Sequence, residues 1–373
     1  MKKITRALIE SSRSLTDRLT TLHTKLIETV PGVDRIACAL YDPQEDTLKT
    51  FINSTHNGNT LVGYEYPLSD SYSLKALADS GEFRVLDEIS SAVCSDSVHS
   101  TWLKDQGYLS SFTVPIYDEG GLLGFVFFDS NQPATFNVKV QRDLVLYTSL
   151  IRMSITSEIS AIRMAIETTR VVRQLTQMRD FETGAHLERM GRYSHIIARA
   201  VAKSRGLSDE FVESVCLFAP LHDVGKIAIP DRILLKPGRL DADERAIMET
   251  HVEKGMEIIE RMMGKGRINA FPESSILRNI VLCHHEFLDG TGYPRGLVGD
   301  EVPLEARIVS VADIFDALTS QRPYKKQWSL DEAFAELSLL ADQGKLDNDC
   351  VMALIEQTET VQHVMTTYID GDV

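Results

Sequence analysis

The sequence predicts an α+β chain of two domains: a mixed α/β domain, a long connecting helix, and an all-α domain. Three observations carry this. Short alternating apolar segments punctuated by turn residues fill the first third. After Pro133 no Pro or Gly follows until Gly184. Beyond that, helical patterns with short polar breaks succeed one another with almost no alternating segment.

Taken in order, residues 3–29 read as a helix. Leu15, Leu19, Leu22 and Leu26 fall on one stripe, and Pro31-Gly32 ends it. Strands are expected at 35–41, 47–53, 64–68, 83–87, 109–117 and 121–129, with Asp118-Glu119-Gly120-Gly121 turning the last pair. Short helices are expected at 73–80 and 97–106. The element opened by Pro133 would run roughly 70 Å at about 1.5 Å per residue. Ile151, Ile155, Ile159, Ile162 and Ile166 keep a heptad-like stripe, with Arg, Glu, Ser and Thr on the other faces. This reads as a parallel dimeric signalling helix in preference to one packed on its own domains.

The composition, 43% hydrophobic and 25% charged, is that of a soluble globular protein. The net charge is −15, and residues 1–150 carry 13 Lys and Arg against 19 Asp and Glu, so acidity spreads over both halves. An acidic surface argues against nonspecific DNA binding. An anionic substrate would need a few placed cations or metal ions. Cys38, Cys94, Cys216, Cys283 and Cys350 form no CxxC and read as reduced thiols. Cys283 reads as a small buried residue, although it adjoins His284. No signal peptide is recognisable after Met1-Lys2-Lys3, and the longest apolar run, near 122–128, is far short of a membrane span. The expectation is a soluble, cytoplasmic protein.

The chemistry concentrates around His222-Asp223, flanked by Val215, Leu217, Phe218 and Leu221 before it and Ile227 and Ile229 after it. A polar pair in apolar surroundings must be satisfied by a partner, either a metal ion or a core hydrogen bond. Six of the ten histidines lie between 186 and 285. Glu182 and His186 share a helix face at i, i+4. Lys226 follows His222 by four, on the same helical side. His251 starts an amphipathic helix, His284-His285 end an apolar one, and Asp313 lies in an apolar run with Asp316 one turn on. His56 and His99 read as surface residues, and His195 as structural or surface. Five histidines and three carboxylates on apolar faces are hard to satisfy without metal. Nitrogen and carboxylate ligands without thiolate suit iron or manganese, with zinc open. The ligand number exceeds what one ion takes, so at least two ions are expected.

Two resemblances follow from these residues. The helix, β-meander, small helices and closing hairpin of residues 1–136 resemble a GAF-type sensor domain. His222-Asp223-Val224-Gly225-Lys226 through Pro230 resembles the signature of the HD superfamily of metal-dependent phosphohydrolases. His284-His285-Glu286-Phe287-Leu288-Asp289-Gly290-Thr291-Gly292-Tyr293-Pro294 is similar to the HHExxDGxGYP signature of its HD-GYP branch, and segments 179–186 and 306–325 match the same branch.

The resemblance implies a helical HD-GYP domain over 180–373, joined to the sensor by the helix 137–179. It implies a phosphodiesterase that hydrolyses cyclic di-GMP to pGpG and in some members to GMP, by metal-activated hydroxide attack. It implies two or three divalent ions held by Glu182, His186, His222, Asp223, His251, His284, His285 and Asp313. Asp223 would bridge two ions, and a third would go with Glu182. His222, Asp223 and Lys226 would serve catalysis, with Lys226 steadying phosphate or protonating the leaving group. Lys226, Tyr293, Arg322 and Lys325 would contact the substrate. A homodimer through 137–179 and a GGDEF-type diguanylate cyclase partner are further implications. Hydrolysis of cyclic GMP-AMP and a non-catalytic cyclic-dinucleotide receptor are the alternatives. The chain departs from the family at Leu346-Asp347-Asn348, where Phe-Asp-Pro is common, a tail remote in sequence from the ligands.

Overall fold

The computed structural model describes residues 14–56, 59–92, 98–175, 184–263, 274–320 and 327–369. The chain divides into two compact units, 1–159 and 160–373.

The first unit opens with α1 (Leu15–Thr29), whose first turn is capped by Ser14, its Oγ accepting from the Asp17 amide at 3.0 Å. Then come β1 (Arg35–Asp42), β2 (Thr47–Thr55), β3 (Glu65–Pro67), α2 (Tyr72–Ser80), β4 (Arg84–Leu86), α3 (Ile89–Ala92), α4 (Val98–Asp105), β5 (Ser110–Asp118) and β6 (Gly121–Ser130). The strands form one antiparallel sheet in the order β3-β2-β1-β6-β5-β4. Side chains alternate across it. Ile36, Cys38, Val126 and Phe128 pack against Leu19, Leu22 and Leu26 of α1, while Ala37, Ala39, Phe125 and Phe127 meet Leu68 and Leu77 on the other face.

Helix α5 (Val138–Leu175) follows. Its isoleucine stripe does not behave as the sequence suggested. Ile151, Ile155 and Ile159 are buried in the first unit's own core, beside Leu15 and Leu19. Burial against a neighbouring helix satisfies an apolar stripe as well as a second chain does. For Ile162 and Ile166 only the backbone is described. The apolar face left to solvent is Leu146, Leu150 and Met153, at i, i+4 and i+7 and 48–66% exposed.

His99 is a second correction. The sequence placed it at the surface, but it is half-buried, stacked on Tyr64 at 6.1 Å and Trp102 at 6.5 Å. His56 is exposed as expected.

The second unit is helical: α6 (Gly184–Arg205), α7 (Asp209–Phe218), α8 (Asp231–Leu234), α9 (Ala242–Glu249), α10 (His251–Met263), α11 (Ser274–Cys283), α12 (Leu304–Thr319), α13 (Leu330–Asp342), α14 (Asn348–Ile355) and α15 (Thr358–Thr367). Among its described residues the only strand-like pairing is an isolated bridge between Asp289 and Val298. Helix α6 lies against α7, α12, α14 and α15, so the core forms around Met190, Tyr193, Ile197 and Val201. Tyr193 meets Phe315 of α12 edge-on at 5.0 Å. His195 is structural, 3.1 Å from Glu213. Cys283 is buried, with its thiol pushed up to about 11 by burial. No helix among the described residues is long and apolar enough to cross a membrane.

Candidate metal centre

The ligand-type residues come from five places on this helical frame. His186 lies on the first turn of α6, and Asp313 on the third turn of α12. His222-Asp223 fall between two short 3-10 turns, Ala219–Leu221 and Val224–Ala228. His251 opens α10, and His284-His285 directly follow α11. The fold brings seven of the eight expected ligands into two groups, one of Asp223, His251, His284 and His285 and one of His186, His222 and Asp313. Within each group the ligating atoms lie within 4.8 Å of one another. The eighth, Glu182, lies outside the described residues, as do Arg322 and Lys325.

The two groups adjoin at Asp223. Its Oδ1 faces Nε2 of His251 at 3.0 Å and of His284 at 3.6 Å, and its Oδ2 faces His222 Nε2 at 3.2 Å. The rings of His222 and His284 stand edge to face at 5.0 Å. Asp313 Oδ1 is 3.8 Å from His222 Nε2.

Tautomers decide what these rings can do. Nδ1 of His222, His251 and His284 each donates to a backbone carbonyl, of Ala219 at 2.7 Å, Met248 at 2.9 Å and Ile280 at 3.0 Å. That fixes the proton on Nδ1 and leaves the Nε2 lone pair facing inward. The Nε2 atoms of His251 and His284 are buried and make no hydrogen bond in good geometry. Inward lone pairs around a buried carboxylate are the donor set of a divalent-cation site, and seven nitrogen and oxygen ligands fit such ions. His186 is oriented differently: its Nδ1 is 2.7 Å from Asp316, and Arg189 grips the same carboxylate at 2.6 and 3.0 Å.

Burial and charge set the protonation states. Burial alone would raise the Asp223 carboxyl, yet the Lys226 ammonium beside it leads the neighbouring groups in holding it well below the usual range. Burial lowers His284 and His285, with the neighbouring imidazoles adding to it, so both favour the neutral, ligating form.

Lys226 departs from expectation. It lies on a 3-10 turn, where residues three apart eclipse, so its Nζ pairs with Asp223 Oδ2 at 2.6 Å and not with the face of His222. The turn also brings the chain hard against α10. A Cβ on Gly225 would sit 1.8 Å from the His251 carbonyl oxygen, so only glycine fits.

The glycine-rich loop 289–296 closes one side. Tyr293 stacks on His285 at 4.6 Å and stands 6.2 Å from His251. Its amide donates to the His285 carbonyl at 3.1 Å, and the Tyr293-Pro294 bond is cis. Glu286 is no ligand. It is buried and accepts from the amides of Arg295 at 2.7 Å and Leu297 at 3.0 Å, holding the loop. The tail remote in sequence proves adjacent in space: the Leu288 amide donates to the Lys345 carbonyl at 2.9 Å. Asp347 there caps α14 and pairs with Arg307 at 3.1 Å.

Sequence reasoning noted Asp316 without giving it a role and missed Arg189 and Glu286. A carboxylate one helical turn from Asp313 was the available signal for the first. Glu286 stood in the quoted His284–Pro294 motif without a role, and nothing local marks Arg189, whose partner Asp316 is 127 residues away.

Comparison with known proteins agrees with this geometry. The family model for the HD domain matches residues 170–350. The cyclic di-GMP phosphodiesterase response regulator RpfG of Xanthomonas campestris is 47% identical over 199 residues, covering 53% of this chain and 49% of that protein. The 3'3'-cGAMP-specific phosphodiesterase 2 of Vibrio cholerae is 44% identical over 169 residues, covering 45% and 30%. The chain thus spans about half the length, or less, of these curated relatives. The first unit is similar to the GAF domain of an Acinetobacter phosphoenolpyruvate-protein phosphotransferase, at 17% identity and a TM-score of 0.31, covering 42% of this chain and 90% of that one. The converging histidines, the His222-Asp223 pair and the loop from His284 to Pro294 all lie within the matched residues 170–350, and that segment of the chain is an HD domain.

Proposed function

We propose that residues 180–373 hydrolyse cyclic di-GMP to pGpG, with GMP as the further product. One observation carries the reading: two adjoining histidine and carboxylate groups meet at Asp223 beside a loop that presents Tyr293. His251, His284 and His285 would hold one ion, and His186, His222 and Asp313 a second. Asp223 would bridge them, and Glu182 would complete a third position. Divalent ions, iron or manganese by ligand type, would neutralise the phosphoryl oxygens and supply hydroxide near neutral pH.

The chain's own groups do the rest. The Nδ1 bonds of His222, His251 and His284 keep each lone pair in place, so little reorganisation is needed. Lys226, beside Asp223, stands where it can steady a phosphate oxygen or give a proton to the leaving oxygen. Tyr293 offers a ring face for a base, with Arg322 and Lys325 as phosphate or guanine contacts. Residues 1–136 act as the sensor, and 137–179 as a helix joining them to the enzyme and pairing two chains. The solvent-facing row Leu146, Leu150 and Met153 supports the homodimer. A GGDEF-type diguanylate cyclase is the natural partner, since it makes the substrate.

Cyclic GMP-AMP is the second reading, favoured by the 44% identity to a phosphodiesterase specific for it. The test is turnover of both dinucleotides by protein purified without oxygen, with metal quantified on the same sample. Cleavage of cyclic di-GMP supports the first reading, and faster cleavage of cyclic GMP-AMP the second. A full metal complement with tight binding and no cleavage would make the protein a receptor.

A further inference from the structure

The first unit holds a cavity of about 490 Å³ between the sheet and α2. That lies within the range of about 300–1,000 Å³ usual for small-molecule sites. Its walls are mostly apolar: Ala37, Ala39, Leu48, Leu74, Leu103 and Phe127. Aromatic rings run along one side, Tyr66 stacked on Tyr64 at 6.2 Å and Tyr64 on His99 at 6.1 Å.

Two guanidinium groups interrupt this lining. Arg35 is 2% exposed and pairs with buried Asp129 through one terminal nitrogen, while its Nε is buried and has no hydrogen-bond partner. Asp129 also accepts from Ser111 at 2.8 Å. Among the described residues Arg84 hydrogen-bonds to neutral oxygens, Ser73 Oγ at 2.8 Å and Thr113 Oγ1 at 3.4 Å, with Asp129 the charge acting on it, and its Nε is likewise buried without a partner there. Two cations thus share one buried carboxylate. Asp70 also lines the cavity, but it is exposed. A desolvated guanidinium without an anion costs stability unless a ligand supplies the charge. Its fork is matched by a carboxylate.

We propose that this cavity binds a compact aromatic monocarboxylate, its ring against Tyr64, Tyr66 and Phe127 and its carboxylate on Arg84 and the free Nε of Arg35. One excess cation calls for one negative charge, and the ring wall calls for a flat apolar body. A neutral His99 at the wall adds no competing charge. The claim concerns binding, and it stands whether or not the second unit is a phosphodiesterase.

The test uses the full chain, with benzoate, 4-hydroxybenzoate and indole-3-acetate set against their amides, inorganic phosphate and cyclic GMP. Calorimetry and thermal shift report binding without reference to turnover. At least one acid binds and raises Tm, its amide does not, and Arg84→Met weakens the acid about tenfold or more. Quenching of Trp102 fluorescence in a Trp328→Phe background reads occupancy without altering the cavity, should Arg84→Met fold poorly. Equal binding of acid and amide overturns the proposal. So does binding of only phosphate or cyclic GMP, or no response to any of the three acids at millimolar concentration.

Discussion

Asp316 holds His186 from 130 residues away in sequence, its Oδ2 2.7 Å from the imidazole Nδ1. Arg189, one turn beyond His186 on the same helix, clamps that carboxylate through Nε and a terminal nitrogen. Burial would push the Asp316 carboxyl up, but His186 and Arg189 hold it well below the usual range. The arrangement presents His186 Nε2 to His222 and Asp313. Asp316→Asn keeps the volume and loses the charge. It is expected to weaken metal retention about 10–100-fold with the fold intact. Chelator competition with metal counting checks this, and an unchanged affinity would count against a positioning role.

His222→Ala with Asp223→Ala removes one ligand of the second group and the first group's carboxylate, at which the two groups adjoin. Bound metal is expected to fall below one ion per chain, and turnover to vanish. His195→Ala, far from the ligands in role, keeps both. A double variant that retained its metals would break the ligand assignment.

Gly292→Ala tests the loop. Its Cβ would sit 2.3 Å from the Phe287 amide nitrogen and 2.5 Å from the His285 carbonyl oxygen, both backbone atoms that cannot swing away. The loop must shift, carrying Tyr293 off His285. Cyclic di-GMP turnover is expected to drop about tenfold or more, as small displacements of positioning groups do. Metal content should hold. Wild-type kinetics in the variant would show that the loop does not position substrate.

His99 predicts a pH effect on the first unit. Burial, with Arg35 nearby, pushes it from 6.5 down to about 4. Between those values the imidazole is neutral when folded and protonated when unfolded, so the unfolded chain binds more protons and stability falls as pH drops. Above 6.5 the effect is absent, and near pH 4 the loss is complete. The loss is at most about 3 kcal/mol. Tm of wild type should therefore decline from pH 7 to 4 more steeply than Tm of His99→Phe, which keeps a ring in the stack. Parallel slopes would refute it.

The solvent-facing row on α5 makes the last prediction. Leu150→Asp places a charge in its middle and is expected to dissociate the proposed homodimer, as sedimentation at several concentrations would reveal. A monomeric wild type, or a dimer indifferent to the substitution, removes the pairing role from this face.

Much of this molecule is written locally. Alternation and turn residues mark the strands of the first unit, because a sheet with both faces covered still needs its corners turned. Leu15 to Leu26 mark α1 by spacing alone, and His222-Asp223 and His284 to Pro294 announce the centre because such residues in apolar runs have few other uses. What the sequence alone determined is therefore which residues must be satisfied and which elements carry them. The tertiary structure decided with what. It gave the Ile151, Ile155 and Ile159 stripe to the first unit's own core, turned Lys226 onto Asp223 through a 3-10 turn, and paired His186 with Asp316. It also set Arg84 beside a cavity, hydrogen-bonded among the described residues to the hydroxyls of Ser73 and Thr113. These are contacts between segments far apart in the chain, and periodicity, which reports only which face of an element is apolar, cannot say what that face will touch.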